Sequence, residues 1–341
     1  MMTMKILVTG SAGFIGGYLV EELLGRGYEV VGLDNFSKYG RLDKSYSNHP
    51  RYTLIEGDAR NVGLLSELVM PCDHFVAGAA RIGGISYFHE FAYDLLAENE
   101  RIIAASFDAA LAARKNGKLK KITILSSSMV FERATQWPTP EDHACPPPDS
   151  TYGFQKLACE YFAKGAWEQY KLPYTICRPF NCVGVGERRA LTDRDIPSGN
   201  IELAMSHVVP DLVQKIVRGQ DPLHILGAGN QVRCYTYGGD LAKGIAETLE
   251  HPAAVNEAFN LSTPVATSVL ELAQLIWNKV HGNSKPFRYV SDQPFPYDVQ
   301  KRIPDVTKAR RVLGFEAKTT LSVMLDEVIP WVRQEIEHGR L

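Results

Sequence analysis

The chain has 341 residues, of which 45% are hydrophobic and 22% charged, and its formal net charge is −2. This is the composition of an ordinary soluble globular protein with room for one large domain or two closely associated ones, and it gives no electrostatic reason to expect binding to nucleic acid or to an anionic membrane. No apolar run approaches the roughly 20 residues of a membrane helix, no signal peptide is recognisable, and six cysteines without CxxC or zinc-ligand spacing predict reduced thiols, no metal site and a cytoplasmic location.

Short apolar segments alternate with helical patterns through the first half of the chain. Helices are predicted over about 92–115 and 151–170, where apolar residues recur at helical spacing. Strands alternating with helices predict an α/β fold, a doubly wound parallel sheet covered on both faces. The predicted strands are 5–8, 29–33, 52–57, 74–78, 121–127 and 173–179.

The segment GSAGFIG places three glycines between the first strand and the helix that follows it. Gly10 would make the tight turn, Gly13 would let the backbone approach a pyrophosphate, and Gly16 would permit close packing of helix and strand. The helix N-terminus would then face the negative charge. This context predicts a Rossmann-type dinucleotide site, to which Phe14 and Ile15 also belong.

Acidic residues follow the next two strands. Asp34 lies 18 residues after Gly16, where a carboxylate accepts hydrogen bonds from the adenosine ribose and repels a 2′-phosphate. It therefore favours NAD over NADP as the cofactor. Asp58 is a candidate for the adenine edge, although aspartate is equally common in ordinary turns. Asn35 and Ala59 complete this part of the predicted site.

The strand KITILSSS ends in three serines, and the carboxyl ends of parallel strands are where open α/β sheets bind ligands. Tyr152 and Lys156 stand four residues apart on one face of the next helix. An ammonium beside a phenol favours the phenolate, and the positive charge of a nicotinamide acts in the same direction. Such a tyrosine can remove a hydroxyl proton while hydride leaves the same carbon, with a serine hydroxyl holding the substrate oxygen.

Beyond Asn181 the elements become shorter and prolines more frequent. Residues 184–200 are rich in Gly, Arg and Asp, so a loop is predicted there. The segments that follow have the pattern of a smaller lobe interleaved with the sheet. Helices are predicted near 208–218, 239–250 and 268–280.

Several of these segments together carry a family resemblance. In chain order, GSAGFIG, LDNF, GDAR, SSSMVF, YGFQK, RPFN, RCYT and KRIPDVTKARRVLGF resemble the extended short-chain dehydrogenases/reductases of the nucleotide-sugar epimerase/dehydratase group. The resemblance runs nearly end to end and is specific for the superfamily, but much less so for the reaction. It implies bound NAD(H) that takes hydride from a sugar carbon and usually returns it.

The resemblance also implies a Ser/Thr, Tyr, Lys triad. The family's Ser/Thr stands three residues before the valine of a V-Y-G-like segment, and that valine matches Val130, which selects Ser127. Phe131 replaces the usual tyrosine. Tyr152 and Lys156 complete the triad, and the resemblance places both beside the cofactor as well.

Further cofactor-side residues follow from the resemblance. Ala79 and Ala80 are similar to the alanine pair beside the cofactor, and Asn99 matches an asparagine that steadies the central turn. The implied domains are an NAD-binding Rossmann domain over 1–182, to which about 230–262 returns, and a smaller C-terminal substrate-binding lobe, 183–341, that mainly binds the nucleotide sugar.

On the substrate side, the resemblance implies that Asn181 reaches the phosphates. Arg233 and Arg302 match arginines that grip the diphosphate, whose oxygens suit a guanidinium fork; Lys301 could share the second role. Ser128 and Val209 are also included in the predicted substrate set.

Position 129 distinguishes between the reactions of the resembled group. Dehydratases carry Asp-Glu directly after the catalytic Ser/Thr, where this chain has Ser128 and Met129, and a thioether cannot transfer a proton. Decarboxylases of nucleotide-sugar acids carry a glutamate at the Met129 position. The tail DVQKRIPDVTKARRVLGF nevertheless resembles the decarboxylase branch closely, so decarboxylation stays open.

Two other segments suggest a different epimerase. AARIGGISYF (79–88) resembles a glycine loop of GDP-mannose 3,5-epimerases and GDP-fucose synthases, and SHVVP maps an acid/base histidine of the synthases onto His207. Those enzymes also use a cysteine where this chain has Met129, and the synthases use NADPH, which Asp34 disfavours. A packing or loop role for His207 is at least as consistent with the sequence.

C4 epimerisation needs only Ser127, Tyr152, Lys156, NAD and a pocket in which a 4-keto sugar can turn. The sequence therefore predicts an NAD-dependent nucleoside-diphosphate-sugar epimerase of carbohydrate biosynthesis, acting at C4 through a transient 4-keto sugar. The alternatives are a 3,5-epimerase, a decarboxylase or dehydratase, a net oxidoreductase, or a non-catalytic NAD-binding regulator. The nucleotide and the sugar are not determined.

A homodimer is expected from the helices over 92–115 and 151–170. Both carry apolar residues on more than one face, for example Ile102, Phe107, Phe162 and Trp167. In the resembled family two such helices pair with their copies, whereas the competing interpretation is that they only cover the sheet.

Overall fold

The computed structural model describes residues 3–82, 90–188, 190, 207–282, 284–294 and 299–341, and the backbone of 196–198 and 201–203. Two segments that suggested a 3,5-epimerase fall partly outside these ranges. Residues 83–88 of the predicted glycine loop and Ser206 of SHVVP are not among the described residues.

The central sheet contains seven parallel strands. They are β1 (Lys5–Thr9), β2 (Glu29–Asp34), β3 (Tyr52–Glu56), β4 (His74–Ala77), β5 (Lys121–Leu125), β6 (Tyr174–Pro179) and β13 (Glu257–Leu261). Their order across the sheet is β13-β6-β5-β4-β1-β2-β3. The winding reverses between β1 and β4, so a crevice opens at the carboxyl ends of these two strands. The predicted doubly wound parallel sheet is confirmed.

Helices cover both faces of the sheet. In the described ranges they are α1 (Phe14–Gly25), α2 (Val62–Val69), α3 (Ala92–Asn116), α4 (Thr151–Tyr170), α5 (Val208–Val217), α6 (Gly238–Glu250), α7 (Val269–His281), α8 (Thr307–Leu313) and α9 (Leu321–Glu337). One apolar core lies beneath α2, α3 and α4. A second lies on the opposite face beneath α1, α6 and α8.

The smaller lobe has its own apolar core, formed by α5, α7 and α9. Short strands surround it: β7 (Cys182–Val183), β8 (Ile196–Ser198), β9 (Ile201–Leu203), β10 (Leu223–Leu226), β11 (Val232–Cys234), β12 (Thr236–Tyr237), β14 (Ala266–Ser268), β15 (Tyr289–Asp292) and β16 (Lys301–Arg302). None of the helices in the described ranges is both long and apolar enough to cross a bilayer.

Local capping sets the helix boundaries. The Ser150 side chain accepts a hydrogen bond from the Gly153 N–H at the start of α4. Ser268 and Glu271 form a capping box at the start of α7. These side chains satisfy N–H groups that the first turn of a helix leaves unpaired, which is why the helices begin at those residues.

The structure corrects one prediction and extends another. Residues 184–200 were predicted as a loop, but β8 lies within them and pairs antiparallel with β9. The prediction missed β8 because a strand of three residues leaves no readable alternation. β13 and α6 return to the large sheet, as expected for about 230–262. α8 also packs there, although it lies beyond that segment in the chain. The six cysteines, all within the described ranges, are free thiols.

Candidate functional site

A cavity of about 810 Å³ lies over the carboxyl ends of the central strands and extends to the smaller lobe. Its walls combine the glycine turn after β1, the serines after β5, the first turn of α4 and residues of α5, β11 and β16. This is the crevice at which open α/β sheets bind ligands. Among the described residues, no three His, Cys, Asp or Glu side chains converge as a metal site requires.

The glycine turn has almost no space for side chains. Gly10 has a φ of 72°, and a Cβ on it would come within 3.0 Å of the Ala79 backbone. A Cβ on Gly16 would stand 2.0 Å from the Gly10 carbonyl oxygen. No side chain caps the helix that begins at Phe14, after Gly13. The bare N-terminus of α1 therefore presents its first N–H groups to the cavity, an arrangement that favours a phosphate.

The chain after β4 forms the other side of the crevice. Thr9 Oγ1 accepts hydrogen bonds from the N–H groups of Gly78 and Ala79, each at 3.2 Å. Asn99, 1% exposed on α3, brackets Arg81: its Oδ1 accepts from the Arg81 N–H at 2.7 Å and its Nδ2 donates to the carbonyl at 2.9 Å. These bonds hold Ala79 and its neighbour Ala80 in the cavity wall.

The two predicted acidic residues have different surroundings. Asp34 accepts hydrogen bonds from the N–H of Ala12 at 2.9 Å and of Phe36 at 2.8 Å, so it ties the glycine turn to the end of β2. Asp58 pairs instead with Arg60, whose side-chain hydrogen bond lowers the pKa of the carboxyl group. Both carboxylates line the cavity, as do Ile15, Asn35 and Ala59.

Ser127, Tyr152 and Lys156 line the same cavity and are each less than a tenth exposed. The Lys156 ammonium donates to the Leu125 carbonyl at 2.8 Å and lies 5.9 Å from the centre of the Tyr152 ring. Ser127 Oγ accepts from the Met129 N–H at 3.2 Å. The arrangement can hold a substrate hydroxyl between an alcohol and a phenol with a cation behind the ring.

The first serine of the strand end has a structural role. Ser126 Oγ donates to Glu160 at 2.6 Å, and Glu160 receives a two-pronged ion pair from Arg178, with bonds of 2.9 and 2.7 Å. Because all three residues are buried, this network fixes the end of β5 against β6 and α4. The next two residues, Ser127 and Ser128, are not part of this network and line the cavity.

Met129 lies in the catalytic wall, where it packs against Tyr152 and Leu95. Its sulfur lies 3.1 Å from Nη1 of Arg302, and the same Nη1 donates to Ser128 Oγ at 3.3 Å. The end of the smaller lobe therefore reaches the strand end that carries Ser127. The position after Ser128 thus holds a thioether in contact with a guanidinium, and neither group is a carboxylic acid.

The two predicted phosphate-binding arginines are neighbours. Arg233 on β11 pairs in parallel register with Arg302 on β16, and both line the cavity. Two adjacent cations attract an anion with several oxygens. Asn181, with a φ of 36°, donates to the Cys234 carbonyl at 3.4 Å and joins the same wall.

His207 lies at the start of α5, beside the buried wall residue Val209. Its Nδ1 contacts Glu187, a carboxylate that is 2% exposed, whereas the His207 side chain is 46% exposed at the cavity. The contact orients the ring and leaves the other ring nitrogen for solvent or ligand.

Sequence reasoning missed two carboxylates at this site, Glu187 and Glu132. Glu187 lies in a segment rich in charged residues and pairs with His207, 20 positions later. No pattern in the local sequence indicates that pairing. Glu132 lines the cavity and contacts Ser150, 18 positions later. Both contacts arise only when distant segments fold together.

Comparisons with known proteins agree with this geometry. Residues 6–262 match the NAD dependent epimerase/dehydratase family. The chain is 30% identical to a UDP-N-acetyl-alpha-D-glucosaminuronate decarboxylase of Bacillus cytotoxicus, over 99% of this chain and 100% of that protein.

Solved structures show the same fold. The UDP-glucose 4-epimerase of Thermotoga maritima, solved with UDP-glucose, has a TM-score of 0.79 and 28% identity, over 98% of this chain and 100% of that one. A variant of the UDP-glucuronic acid 4-epimerase of Bacillus cereus, in complex with UDP-4-deoxy-4-fluoro-glucuronic acid and NAD, has a TM-score of 0.79 and 25% identity, over 97% and 99%.

Proposed function

The chain belongs to the NAD-dependent epimerase/dehydratase family, and from that premise we propose that it is a nucleoside-diphosphate-sugar epimerase acting at C4 through a transient 4-keto sugar. The observation that carries the proposal is the catalytic wall: Ser127, Tyr152 and Lys156 lie together, and Met129 beside them cannot transfer a proton. Oxidation and reduction at a single carbon need no further proton carrier.

The crevice suits NAD. The uncapped start of α1 would hold the pyrophosphate, because a glycine turn without space for side chains leaves N–H groups there. Asp34 would accept hydrogen bonds from the adenosine ribose, and its negative charge disfavours a 2′-phosphate. When bound, NAD supplies a nicotinamide ring that accepts hydride from a sugar carbon and gives it back.

The protein's own residues carry the proton chemistry. Tyr152 takes the proton of the C4 hydroxyl as the ketone forms and returns it after the sugar has turned. Ser127 holds the same oxygen by a hydrogen bond. Lys156, fixed by the Leu125 carbonyl, holds its ammonium 5.9 Å from the centre of the Tyr152 ring.

The substrate's diphosphate would be held by Arg233 and Arg302, which are adjacent in register. A nucleotide anchored there leaves the sugar free to rotate about its diphosphate in the remaining volume of the cavity. The opposite face of the 4-keto sugar then meets the same catalytic wall.

A sugar panel in deuterium oxide tests the reaction. Purified protein is incubated with nucleoside-diphosphate hexoses and their uronic acids, and the products are read by proton NMR. C4 epimerisation gives an inverted C4 centre with its original hydrogen, because the hydrogen removed is the one returned. Solvent deuterium at C3 or C5 would instead indicate a 3,5-epimerase, and no conversion of any sugar would reject the proposal.

A decarboxylase of a nucleotide-sugar acid is the second candidate. It is favoured by the guanidinium of Arg302 at Ser128, which in this candidate would bind the sugar carboxylate and leave Arg233 for the diphosphate. The similarity to the Bacillus cytotoxicus decarboxylase supports the same candidate. In the deuterium oxide assay it would release carbon dioxide from a uronic acid and place deuterium at C5, which C4 epimerisation does not.

A further inference from the structure

Glu132 links the strand end that carries Ser127 to the helix that carries Tyr152. Its Oε2 accepts hydrogen bonds from Ser150 Oγ at 2.6 Å and from the Ser150 N–H at 3.3 Å. Ser150 Oγ in turn accepts from the Gly153 N–H at 3.0 Å, which caps α4. A continuous set of hydrogen bonds thus runs from Glu132 into the first turn of α4.

The other side of this link reaches Ser127. The Glu132 N–H donates to the Met129 carbonyl at 3.1 Å, and the Met129 N–H donates to Ser127 Oγ at 3.2 Å. Ser127 and Glu132 therefore belong to one hydrogen-bonded segment, with the short helical turn Ser128–Phe131 between them.

Close packing joins the segment to the helix. A Cβ on Gly153 would stand 2.8 Å from the Glu132 carboxylate and 2.9 Å from the Met129 carbonyl oxygen. Because both distances are shorter than a real Cβ contact, α4 can approach only with a glycine at this position. Glu132 and Met129 therefore pack closely against the first turn of α4, beside Tyr152.

Charge favours the same contact. The start of an α-helix carries a partial positive charge, and α4 has no acidic residue of its own in its first turn. Glu132 supplies a negative charge there from a different element. Its hydrogen bonds to the hydroxyl and the N–H of the capping residue are charge-assisted, and such bonds are short and directional.

We propose that Glu132 is a positioning residue: it fixes the first turn of α4 and so holds the Tyr152 phenol opposite Ser127. The catalytic part of this inference rests on the proposed function, because a positioned phenol matters only if it moves a proton. The structural part, that Glu132 orders the turn, stands apart from any reaction.

Kinetics on the substrate identified by the sugar panel test the catalytic part. Glu132→Ala should lower kcat by about tenfold or more and change KM by less than about twofold, since displaced reacting groups slow the chemical step. Glu132→Gln keeps an oxygen that can accept from Ser150 and should recover part of kcat. Arg133→Ala, at a neighbouring residue that is half-exposed, is the matched control and should equal the wild type.

A double-mutant cycle identifies the route. If Glu132 acts through the capping residue, Ser150→Ala should lower kcat too, and the double variant should lose no more than the larger single loss. Losses that multiply would show that Glu132 acts elsewhere and would overturn the proposal. An unchanged kcat in Glu132→Ala would overturn it as well.

Hydrogen exchange tests the structural part without an assay. The backbone amides of Gly153 and Phe154, which donate to Ser150, should exchange about tenfold faster in Glu132→Ala than in the wild type or in Arg133→Ala, because the turn opens more often. Unchanged exchange would reject the role of Glu132. If the wild-type protein converts no sugar, the proposed function fails, whereas this measurement still decides whether Glu132 orders the helix.

Discussion

Met129 illustrates how one side chain limits the chemistry of a site. It is buried against Tyr152, and its thioether lies beside the guanidinium of Arg302. Neither group is a practical proton donor to a leaving hydroxyl at neutral pH, because the first has no acidic proton and the second holds its proton too tightly. Under the proposed function Tyr152 is then the main proton carrier at this wall, and a reaction confined to one carbon is favoured.

Removing the phenolic oxygen tests that role. Tyr152→Phe should reduce turnover by about 10² to 10³-fold, the usual contribution of a positioned acid/base. NAD should still bind and raise the melting temperature as in the wild type, because the glycine turn is unchanged. Thermal shift and the NMR assay measure the two properties separately, and a variant with full turnover would exclude the tyrosine from the mechanism.

His74 gives a pH dependence that is unrelated to the cavity. It is buried in β4, where burial, followed by the charge of Lys121 on the neighbouring strand, lowers the pKa of the imidazole from 6.5 to about 4. Within the described residues its Nδ1 has no hydrogen-bond partner. Between pH 6.5 and about pH 4, His74 is therefore protonated in the unfolded chain but neutral in the folded protein.

Stability should consequently fall as the pH drops. The contribution of neutral His74 is fully present above pH 6.5 and is lost as the pH approaches 4. At 1.36 kcal/mol per pKa unit, the loss is about 2–4 kcal/mol in the free energy of unfolding. Urea titrations of the wild type and of His74→Gln at several pH values separate the contribution of His74 from that of the carboxylates. If the free energy of unfolding falls with pH in parallel for the two proteins, the assignment to His74 is wrong.

At the scale of elements, the junction of β1 and α1 determines whether a dinucleotide can bind. The helix starts at the carboxyl end of the strand, and the Gly10 carbonyl occupies the space beside Gly16. Asp34 holds the turn from β2 through the Ala12 N–H. The position of the N-terminus of α1 thus depends on β1, on β2 and on the absence of a side chain at Gly16.

Two alanine substitutions in α1 separate the effect of packing from that of helix propensity. Gly16→Ala should weaken NAD binding by about tenfold or more and lower stability, because its Cβ cannot fit beside the Gly10 carbonyl. Gly25→Ala, in the last turn, has no atom within 4 Å of the new Cβ and should be neutral or stabilise by about 0.5–1 kcal/mol. Calorimetric titration measures the NAD affinity of each variant, and thermal unfolding measures its stability. Equal NAD affinities of Gly16→Ala and Gly25→Ala would contradict the packing argument.

At the scale of the whole molecule, the site exists because two distant parts of the chain meet. Ser127 and Tyr152 come from the sheet side, whereas Arg302 comes from a short strand near the C-terminus and still reaches Ser128. The smaller lobe therefore brings cations to the cavity, and the sheet side brings the residues that the proposed function uses for proton transfer. A ligand that spans both, such as a nucleotide sugar, would bridge the two parts.

A homodimer remains our expectation for the assembly. On α4, Phe154, Tyr161 and Phe162 are 45%, 65% and 37% exposed, and Phe162 stacks on the buried Phe107 of α3, so α4 carries an apolar outer face beside α3. Sedimentation should show a dimer at micromolar concentration, and Tyr161→Glu should shift it toward monomer by burying an unpaired charge. Val323→Glu, at an exposed site on α9, is the control; a wild-type monomer would refute the expectation.

Much of the fold could be predicted from local sequence. Alternating apolar segments placed all six predicted strands of the sheet, and helical spacing placed α3, α4 and α7 close to their observed bounds. Burial on both faces of a parallel sheet requires such continuous apolar runs, so the pattern is strong. β8 and β9 were not predicted because strands of three residues are shorter than the roughly four to eight residues over which alternation can be read.

The residues of the site divide in the same way. Local sequence was enough to predict the glycine turn, Asp34, the serine strand end and the Tyr152–Lys156 pair, because each lies within one or two turns of chain where spacing fixes which side chains share a face. Three contacts became visible only in the folded chain: Arg233 adjoins Arg302, Ser126 bonds to Glu160, and Glu132 bonds to Ser150, the cap of α4. Those contacts join residues from 18 positions apart, Glu132 and Ser150, to 69 positions apart, Arg233 and Arg302, and packing of the whole chain, not local periodicity, brings such segments together.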